Sequence, residues 1–243
     1  MHGGGWVAGT KDQIANYAKI LAGKGYAVAG VEYSVAPAKT FPTPVIQVNS
    51  ALTYLKTNAN RLHMDVSRLF LAGDSGGASI AAQMANAVCV PSYAAILGIS
   101  PSITRAQLAG LVLYCGPYDA QKINLEGSFG WFLRTVLWSY LGRKDFAKAP
   151  GYDALSVINY VTAKFPPVFI SAGNGDPLLL QSRAFAEVLR KLGVSVDSLF
   201  FPENYAPAAP HEYQFNLDTE AGRIALERSL KFLSSMTPQK VKP

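Results

Sequence analysis

A serine flanked by glycines stands between an apolar run and a helix-like run. The segment is Gly73-Asp74-Ser75-Gly76-Gly77, directly after Leu69-Phe70-Leu71-Ala72. A tight turn from strand to helix brings the backbone close to its neighbours, so small residues are needed on both sides of the serine. Such a turn exposes the hydroxyl and directs the free N–H groups of the helix at a developing negative charge. We therefore predict Ser75 as a nucleophile and the Gly76 N–H as an oxyanion donor.

A serine nucleophile needs a base that accepts its proton, and the chain has three histidines. His2 lies in a glycine run, and the stretch around His63 is typical of a surface turn. His211 lies in a loop late in the chain, after the apolar run Leu199-Phe200-Phe201. We therefore predict His211 as the base.

The acid that orients such a histidine is expected between the serine and the histidine, on a loop at the carboxyl end of a strand. Asp176 follows the apolar run Val168-Phe169-Ile170-Ser171 and a glycine turn, and it precedes a helix-like segment. A helix N-cap is an alternative role for Asp176 and is compatible with the first. Asp119, after the strand-like run that ends at Tyr114, is its rival.

The segment His2-Gly3-Gly4-Gly5-Trp6 is a second glycine-rich feature. Consecutive glycines allow two main-chain N–H groups to face one point, and we predict those of Gly4 and Gly5 as further oxyanion donors. Loss of one such donor typically lowers turnover about 10²- to 10³-fold. We also predict Trp6 as a substrate contact.

The elements that must position these residues alternate along the chain, which predicts an α/β fold with a mainly parallel sheet covered by helices on both faces. Reactive groups then collect at the carboxyl ends of the strands. The predicted strands are Ala27–Tyr33, Arg68–Ala72, Gly110–Tyr114, Val168–Ala172 and Ser195–Phe201. The predicted helices are Asp12–Lys24, Val45–Ala59, Gly76–Ala87, Leu179–Leu192 and Thr219–Leu233, and the tail Thr237–Pro243 is predicted to be loose.

The length of 243 residues predicts a single domain, 1–243, with an insertion at about 116–167 that interrupts the alternation. An aromatic, helix-like stretch in this insertion fits either ordinary core packing or a lid whose apolar face forms an acyl pocket. On the lid interpretation, Trp131 and Trp138 contact the substrate.

Composition excludes several classes of function. The net charge of +6 comes from scattered basic residues rather than a stripe, so we expect no nucleic-acid partner. The uncharged run from Ser75 to Thr104 is interrupted by Gly, Pro, Gln and Asn, which favours a buried helix over a membrane span. No secretion signal opens the chain, so a cytoplasmic location is the default expectation. Cys89 and Cys115 lack metal or redox spacing and are predicted as buried thiols.

Trypsin-like proteases surround their nucleophile with the same five letters, Gly-Asp-Ser-Gly-Gly. Three features reject that class here: the α/β pattern, a candidate base that follows the serine in the chain, and the absence of a disulfide framework.

Taken together, these residues resemble the hormone-sensitive-lipase family of bacterial esterases, in the α/β-hydrolase superfamily. His2–Gly5 matches that family's oxyanion loop, Gly73–Gly77 its nucleophile elbow, Asp176-Pro177-Leu178 its acid loop and His211 its base. The resemblance implies an α/β-hydrolase fold and the hydrolysis of small-molecule carboxylic esters through an acyl-enzyme. No metal or organic cofactor is implied, and we expect short to medium acyl chains.

The chain departs from the family pattern at several positions. Ser34, Ala38 and Gln47 stand where the family usually has Arg, Glu and Asp, so a charged cluster is replaced as a unit. After His211 comes Glu212-Tyr213 rather than Gly-Phe, which changes the expected shape of the pocket.

One residue precedes His2, where family members have an N-terminal cap and three strands, so we expect a sheet without that cap and those first strands. In the family, the third of these strands lies within the sheet. Without it, the two strands on either side of it would face each other across a gap or pair directly. The hypotheses are a fragment, a minimal variant that has closed the gap, and a chain completed by a partner, for which we consider a homodimer.

Two alternative functions remain open. An amidase such as an arylformamidase shares the glycine-rich loop and the triad, and comparing rates on matched esters and anilides separates it from an esterase. A non-catalytic binding protein or an inert fragment is the second alternative, and it predicts no ester hydrolysis.

Overall fold

The computed structural model describes residues 1–237, apart from the side chain of Ser128. Four parallel strands form a sheet in the order β1-β2-β3-β4. Their bounds are β1 Leu69–Asp74, β2 Leu108–Tyr114, β3 Val168–Ala172 and β4 Val196–Phe200. The predicted α/β class with a parallel sheet is confirmed. Residues 238–243 of the predicted loose tail lie outside the described residues.

Helices connect these strands and cover both faces of the sheet. The α-helices are α1 Ala15–Ala22, α2 Thr43–Thr57, α3 Gly76–Cys89, α4 Pro91–Ile96, α5 Gly127–Leu141, α6 Tyr152–Leu155, α7 Leu179–Lys191 and α8 Glu220–Ser235. Short 3₁₀ helices lie at Lys11–Ile14, Ala120–Lys122, Phe146–Lys148, Val157–Asn159 and Tyr213–Phe215. The five predicted helices lie where the sequence places them, with ends that differ by a few residues.

The core forms two layers because the side chains of a strand alternate between the faces of the sheet. In β2, Leu111 and Leu113 pack into the layer that contains α3 and α7, whereas Val112 and Tyr114 pack into the layer that contains α8. A strand buried on both faces needs apolar residues throughout, which explains the unbroken apolar run of β2.

Helix α3 carries no charged residue because nearly all of it is buried between the sheet and the neighbouring helices α2 and α4. Its many alanines allow the backbone to approach β1 closely. Among residues 1–237, no helix combines the length and the apolar character that crossing a membrane requires.

The predicted strand Ala27–Tyr33 is wrong: this segment has no sheet pairing within residues 1–237. Strand β1 is instead an edge of the sheet, and an apolar groove of about 530 Å³ separates it from the segment. Because the two flanks do not pair, the closed-gap hypothesis is also wrong. The groove is lined among others by Tyr17, Val28, Val31, Leu69 and Leu71.

The open edge of β1 directs backbone N–H and C=O groups at this groove. The N–H groups of Leu69 and Ser75 donate to the carbonyls of Gln107 and Tyr114. The odd-numbered residues of β1 therefore direct their backbone groups at β2. The even-numbered residues therefore direct their backbone N–H and C=O groups at the groove, because hydrogen-bonding directions alternate along a strand. At one of them, the Ala72 carbonyl accepts a hydrogen bond of 2.7 Å from the amino group of Met1.

Candidate active site

Ser75 sits at the turn between β1 and α3 in a strained conformation. Its φ of 49° and ψ of −123° are rare for a residue with a side chain, and they match the sharp turn expected of an exposed nucleophile. Glycine is required on both sides. A Cβ at Gly73 would collide with the Gly77 carbonyl, and one at Gly77 would collide with the carbonyls of Met1 and His2.

The structure brings Ser75, His211 and Asp176 into one chain of hydrogen bonds. His211 Nε2 lies 3.0 Å from Ser75 Oγ, and His211 Nδ1 lies 2.9 Å from Asp176 Oδ2. The other carboxylate oxygen of Asp176 accepts the Leu178 N–H at 2.7 Å, just before α7 begins. Asp176 therefore contacts the histidine and the backbone ahead of the helix at the same time.

The rival residues lie elsewhere. Asp119 is buried, but its carboxylate accepts the Gln121 N–H and pairs with Lys122 instead of reaching the histidine. His63 is exposed in a turn, as the sequence predicts.

The glycine loop at the start of the chain is fixed against the elbow by aromatic side chains. His2 is fully buried and stacks on Tyr33 with ring centroids 4.1 Å apart, while the Tyr33 hydroxyl donates to the His2 carbonyl. Burial lowers the pKa of His2, so its imidazole is neutral near neutral pH. These contacts favour a structural role for this histidine.

Trp6 is a structural residue of the same loop rather than the predicted substrate contact. Its indole N–H donates to the Gly76 carbonyl at 2.9 Å, and its ring stacks on Tyr140 of α5. Only 3% of Trp6 is exposed, because the indole fills the space between the loop, the elbow and α5.

The N–H groups of Gly4, Gly5 and Gly76, predicted as oxyanion donors, are available for a ligand. Within residues 1–237 none of the three donates a hydrogen bond to the protein. Gly4 and Gly5 have φ values of 100° and 59°, which only glycine adopts readily. Glycine therefore allows the loop to adopt these backbone angles, in which the N–H groups have no acceptor within residues 1–237.

Helix α5 packs against the glycine loop through the face that carries Val136, and not through the face that carries Trp131 and Trp138. A Cβ at Gly5 would lie 3.7 Å from the Val136 methyl groups, so the Val136 face points at the oxyanion loop. Trp131 and Trp138 are exposed and lie about 140–160° around the helix from Val136. This placement does not favour the predicted substrate contacts of the two tryptophans, which stay a prediction.

Phe129 and Phe132, two residues of the aromatic stretch, lie on the same side of α5 as Val136. They precede Val136 by seven and four residues, which places them on its face of the helix. Both are exposed, and their ring centroids lie 6.1 Å apart.

The charges around His211 favour its protonated form. Burial alone would lower the pKa of His211, but the hydrogen bond and negative charge of Asp176, together with Glu212 and Asp74, raise it above the ordinary 6.5. An imidazolium formed during proton transfer is thus stabilised on several sides.

Asp74 and Glu212 form an acid pair beside this triad, which the sequence analysis did not identify. A Cβ at Gly3 would collide with both Asp74 Oδ2 and Glu212 Oε1, so the two carboxyl groups flank one point. Burial of Asp74 and the negative charge of Glu212 raise the pKa of Asp74 to about 7.

The replaced charged cluster of the sequence analysis is a neutral pair in the structure. Gln47 Oε1 accepts the Ser34 N–H at 2.7 Å, and Gln47 Nε2 donates to Ser34 Oγ at 2.9 Å. Two polar side chains therefore satisfy each other where the family has charges.

A group of possible metal ligands within residues 1–237 overlaps the site. The ligand atoms of Cys115, Asp176 and His211 lie within 4.8 Å of one another. Burial and the charge of Asp176 raise the pKa of the Cys115 thiol well above its ordinary value, so the thiol stays protonated and is a poor ligand. Cys89 is likewise buried and unpaired with another cysteine.

Residues 1–209 match the sequence model of a protein family described by the alpha/beta hydrolase fold. The match covers most of the chain, and the chain belongs to this family. The predicted fold class and the resemblance to hormone-sensitive-lipase-type esterases are confirmed.

Similar proteins are named as esterases. The chain is 26% identical over 202 residues to an acetyl esterase of Salmonella agona, with 78% of the chain and 58% of that protein covered. It is 30% identical over 200 residues to an esterase of Gibberella moniliformis, with 79% and 60% covered. The chain thus spans about three fifths of the length of these curated relatives.

Solved structures share the fold. Esterase B of Lactobacillus rhamnosis aligns with a TM-score of 0.82 at 23% identity, covering 97% of the chain and 74% of that structure. An esterase of Pyrobaculum calidifontis aligns with a TM-score of 0.77 at 23% identity, with 97% and 74% covered.

The raised pKa of His211 predicts the pH dependence of any reaction that uses its neutral form. We expect kcat/KM for a neutral ester to fall on acidification with an apparent pKa above 6.5. In Asp176→Asn the fall should move to lower pH, and kcat should drop about 10⁴-fold because the imidazole loses its orienting partner. Initial rates between pH 5 and 9 measure both effects. An acidic fall that stays in place in Asp176→Asn would belong to another group.

The raised pKa of Asp74 predicts a stability effect with a definite sign. Between its ordinary pKa of 3.8 and about 7, the folded state binds a proton that the unfolded state releases, so Asp74 reduces stability as pH rises through this window. Asp74→Asn should therefore raise the free energy of unfolding relative to wild type at pH 8, by about a few kcal/mol at most, and much less at pH 4. Urea unfolding at both pH values measures it. Asp12→Asn, at an exposed site, is the control; an equal effect of Asp74→Asn at both pH values would contradict the assignment.

Proposed function

We propose that this protein hydrolyses carboxylic esters, with Ser75 as nucleophile, His211 as general base and Asp176 as the acid that orients it. The observation that carries this proposal is the hydrogen-bonded chain from Ser75 Oγ through His211 to Asp176, next to backbone donors without protein partners. The esterase names of its relatives support the same class of reaction.

In the first half of this reaction, His211 Nε2 takes the Ser75 proton as Oγ attacks the ester carbonyl carbon. The carbonyl oxygen becomes an oxyanion, and we propose the N–H groups of Gly4, Gly5 and Gly76 as the donors that stabilise it. Nδ1 donates to Asp176, which fixes the tautomer and stabilises the imidazolium. The imidazolium then protonates the leaving alcohol oxygen, and an acyl-enzyme remains.

In the second half, a water molecule replaces the alcohol. His211 removes a proton from the water as it attacks the acyl carbon, and the same donors hold the second oxyanion. The bond to Ser75 Oγ breaks when Nε2 returns its proton, which releases the carboxylic acid. Every proton moves through His211, so no cofactor is required.

Helix α5 is the part of the insertion at 116–167 that we propose as a lid over the acyl group. Val136 lies against the oxyanion loop, and Phe129 and Phe132 extend the same apolar face. A shallow apolar surface of this kind suits short to medium acyl chains, and the acetyl esterases among the relatives are consistent with the short end of that range.

The nucleophile is tested with p-nitrophenyl butyrate. Ser75→Ala should lower kcat by about 10⁶-fold, because the attacking hydroxyl is lost. Ser79→Ala, one turn further along α3, is a matched control that removes a buried hydroxyl and should keep activity within a few-fold. Folding is compared by circular dichroism.

Other outcomes point to the other functions. Faster cleavage of an anilide than of the matched ester would indicate an amidase. A folded wild type that hydrolyses neither compound would contradict the enzymatic proposal and favour a binding protein.

The lid proposal predicts a dependence on acyl length. Phe132→Ala should lower kcat/KM about tenfold for p-nitrophenyl octanoate and much less for the acetate, because a buried phenyl contact with the distal chain is lost. Trp131→Ala, on the opposite face of α5, is the matched control and should leave the ratio of the two rates unchanged. A larger effect of Trp131→Ala than of Phe132→Ala would overturn the orientation of the lid.

A further inference from the structure

Glu212 places a carboxylate at the reacting end of the triad. Its Oε1 lies 3.9 Å from His211 Nε2, the nitrogen that also contacts Ser75. Its side chain is 37% exposed, so the carboxylate borders the open side of the site. Within residues 1–237, no side-chain nitrogen of Lys or Arg lies within 4 Å of this carboxylate.

Two features hold Glu212 in this position. Its backbone has a left-handed φ of 58°, which turns the side chain back across His211 towards the glycine loop. There its Oε1 and Asp74 Oδ2 flank the same point above Gly3. Asp74 is the buried member of the pair and has a pKa of about 7, so it retains a proton near neutral pH and can donate it to Glu212. Glu212 is the more exposed member of the pair.

The chemistry of the triad indicates which part of an ester meets this charge. His211 Nε2 must pass its proton to the oxygen of the leaving alcohol, so that oxygen lies within hydrogen-bonding distance of Nε2. A carboxylate 3.9 Å from the same nitrogen therefore borders the alcohol part of the substrate rather than the distal acyl chain.

The charge of Glu212 is a local feature. The chain as a whole has a net charge of +6, which would attract anions. At the site, the ionisable side chains around Ser75 are instead Asp74, Asp176, Glu212 and His211, and the amino group of Met1 interacts with Asp74. The partly exposed carboxylate beside His211 Nε2 is therefore that of Glu212, although the chain as a whole is basic.

We propose that Glu212 is a specificity-determining residue that favours esters with a cationic alcohol part and disfavours esters with an anionic one. This inference rests on the proposed esterase function and deepens it. The charge of the alcohol part is the same in the ground state and in the transition state, so the preference should appear mainly in KM.

The test uses three acetate esters that differ in charge near one position: acetylcholine, its neutral isostere 3,3-dimethylbutyl acetate, and the anionic 3-acetoxypropanoate. Acid release at pH 8 gives kcat and KM for wild type, Glu212→Gln and Glu212→Gly. Glycine accepts the left-handed backbone of position 212, so the second variant removes the carboxylate without strain. Glu227→Gln, on the exposed side of α8, changes the net charge equally and is the matched control.

Wild type and Glu227→Gln should prefer acetylcholine over the neutral ester, and the neutral ester over the anionic one, each by about tenfold in kcat/KM. In both Glu212 variants these ratios should approach one, mainly through KM.

Two results would overturn the inference while the esterase proposal stands: equal ratios in wild type and the Glu212 variants, or an equal loss on all three esters. If wild type hydrolyses neither these esters nor p-nitrophenyl butyrate, the proposed function itself fails, and the inference fails with it.

Discussion

The close backbone contact at the Ser75 turn is the constraint on which the rest of the site depends. The left-handed conformation of Ser75 brings Gly73 against Gly77, and it brings Gly77 against the carbonyls of the first two residues. No side chain fits at either glycine. The same contact therefore holds the hydroxyl beside His211, starts α3 next to it and sets the distance from the elbow to the glycine loop.

The oxyanion loop depends on side-chain packing because the sheet gives it little support. Strand β1 is an edge, and the groove beside it is open. Stacking of His2 on Tyr33 and of Trp6 on Tyr140 takes over part of that support, together with the hydrogen bond from Trp6 to the Gly76 carbonyl. Aromatic pairs of this kind contribute about 0.5–1.5 kcal/mol each beyond burial, so the loop geometry rests on a few contacts.

The sequence was sufficient for what local patterns determine. Glycine spacing predicts the turn at Ser75, and chain order predicts Asp176 as the acid and His211 as the base. Apolar runs predict the four paired strands. The sequence did not show which segments pair or which face of a helix packs against the site. Ala27–Tyr33 has a strand-like composition, but pairing depends on a neighbour that the residues alone do not show. Trp131 and Trp138 looked like substrate contacts because of their type, yet which face of α5 meets Gly5 is decided by the packing of the helix on the loop.

The proposed reaction forms a positive charge on His211 and a negative charge on the oxyanion. The acid pair of Asp74 and Glu212 has opposite effects on these two charges. Carboxylates near His211 stabilise the imidazolium, and the raised pKa of His211 reflects this. The same carboxylates oppose a negative oxyanion a few ångströms away. A proton on Asp74 reduces this conflict, because it removes one negative charge while Asp176 still faces the histidine on the opposite side. The backbone donors of the glycine loop and the elbow must offset the remaining repulsion between the carboxylates and the oxyanion. The proposed chemistry therefore requires that the loop and the elbow pack closely together.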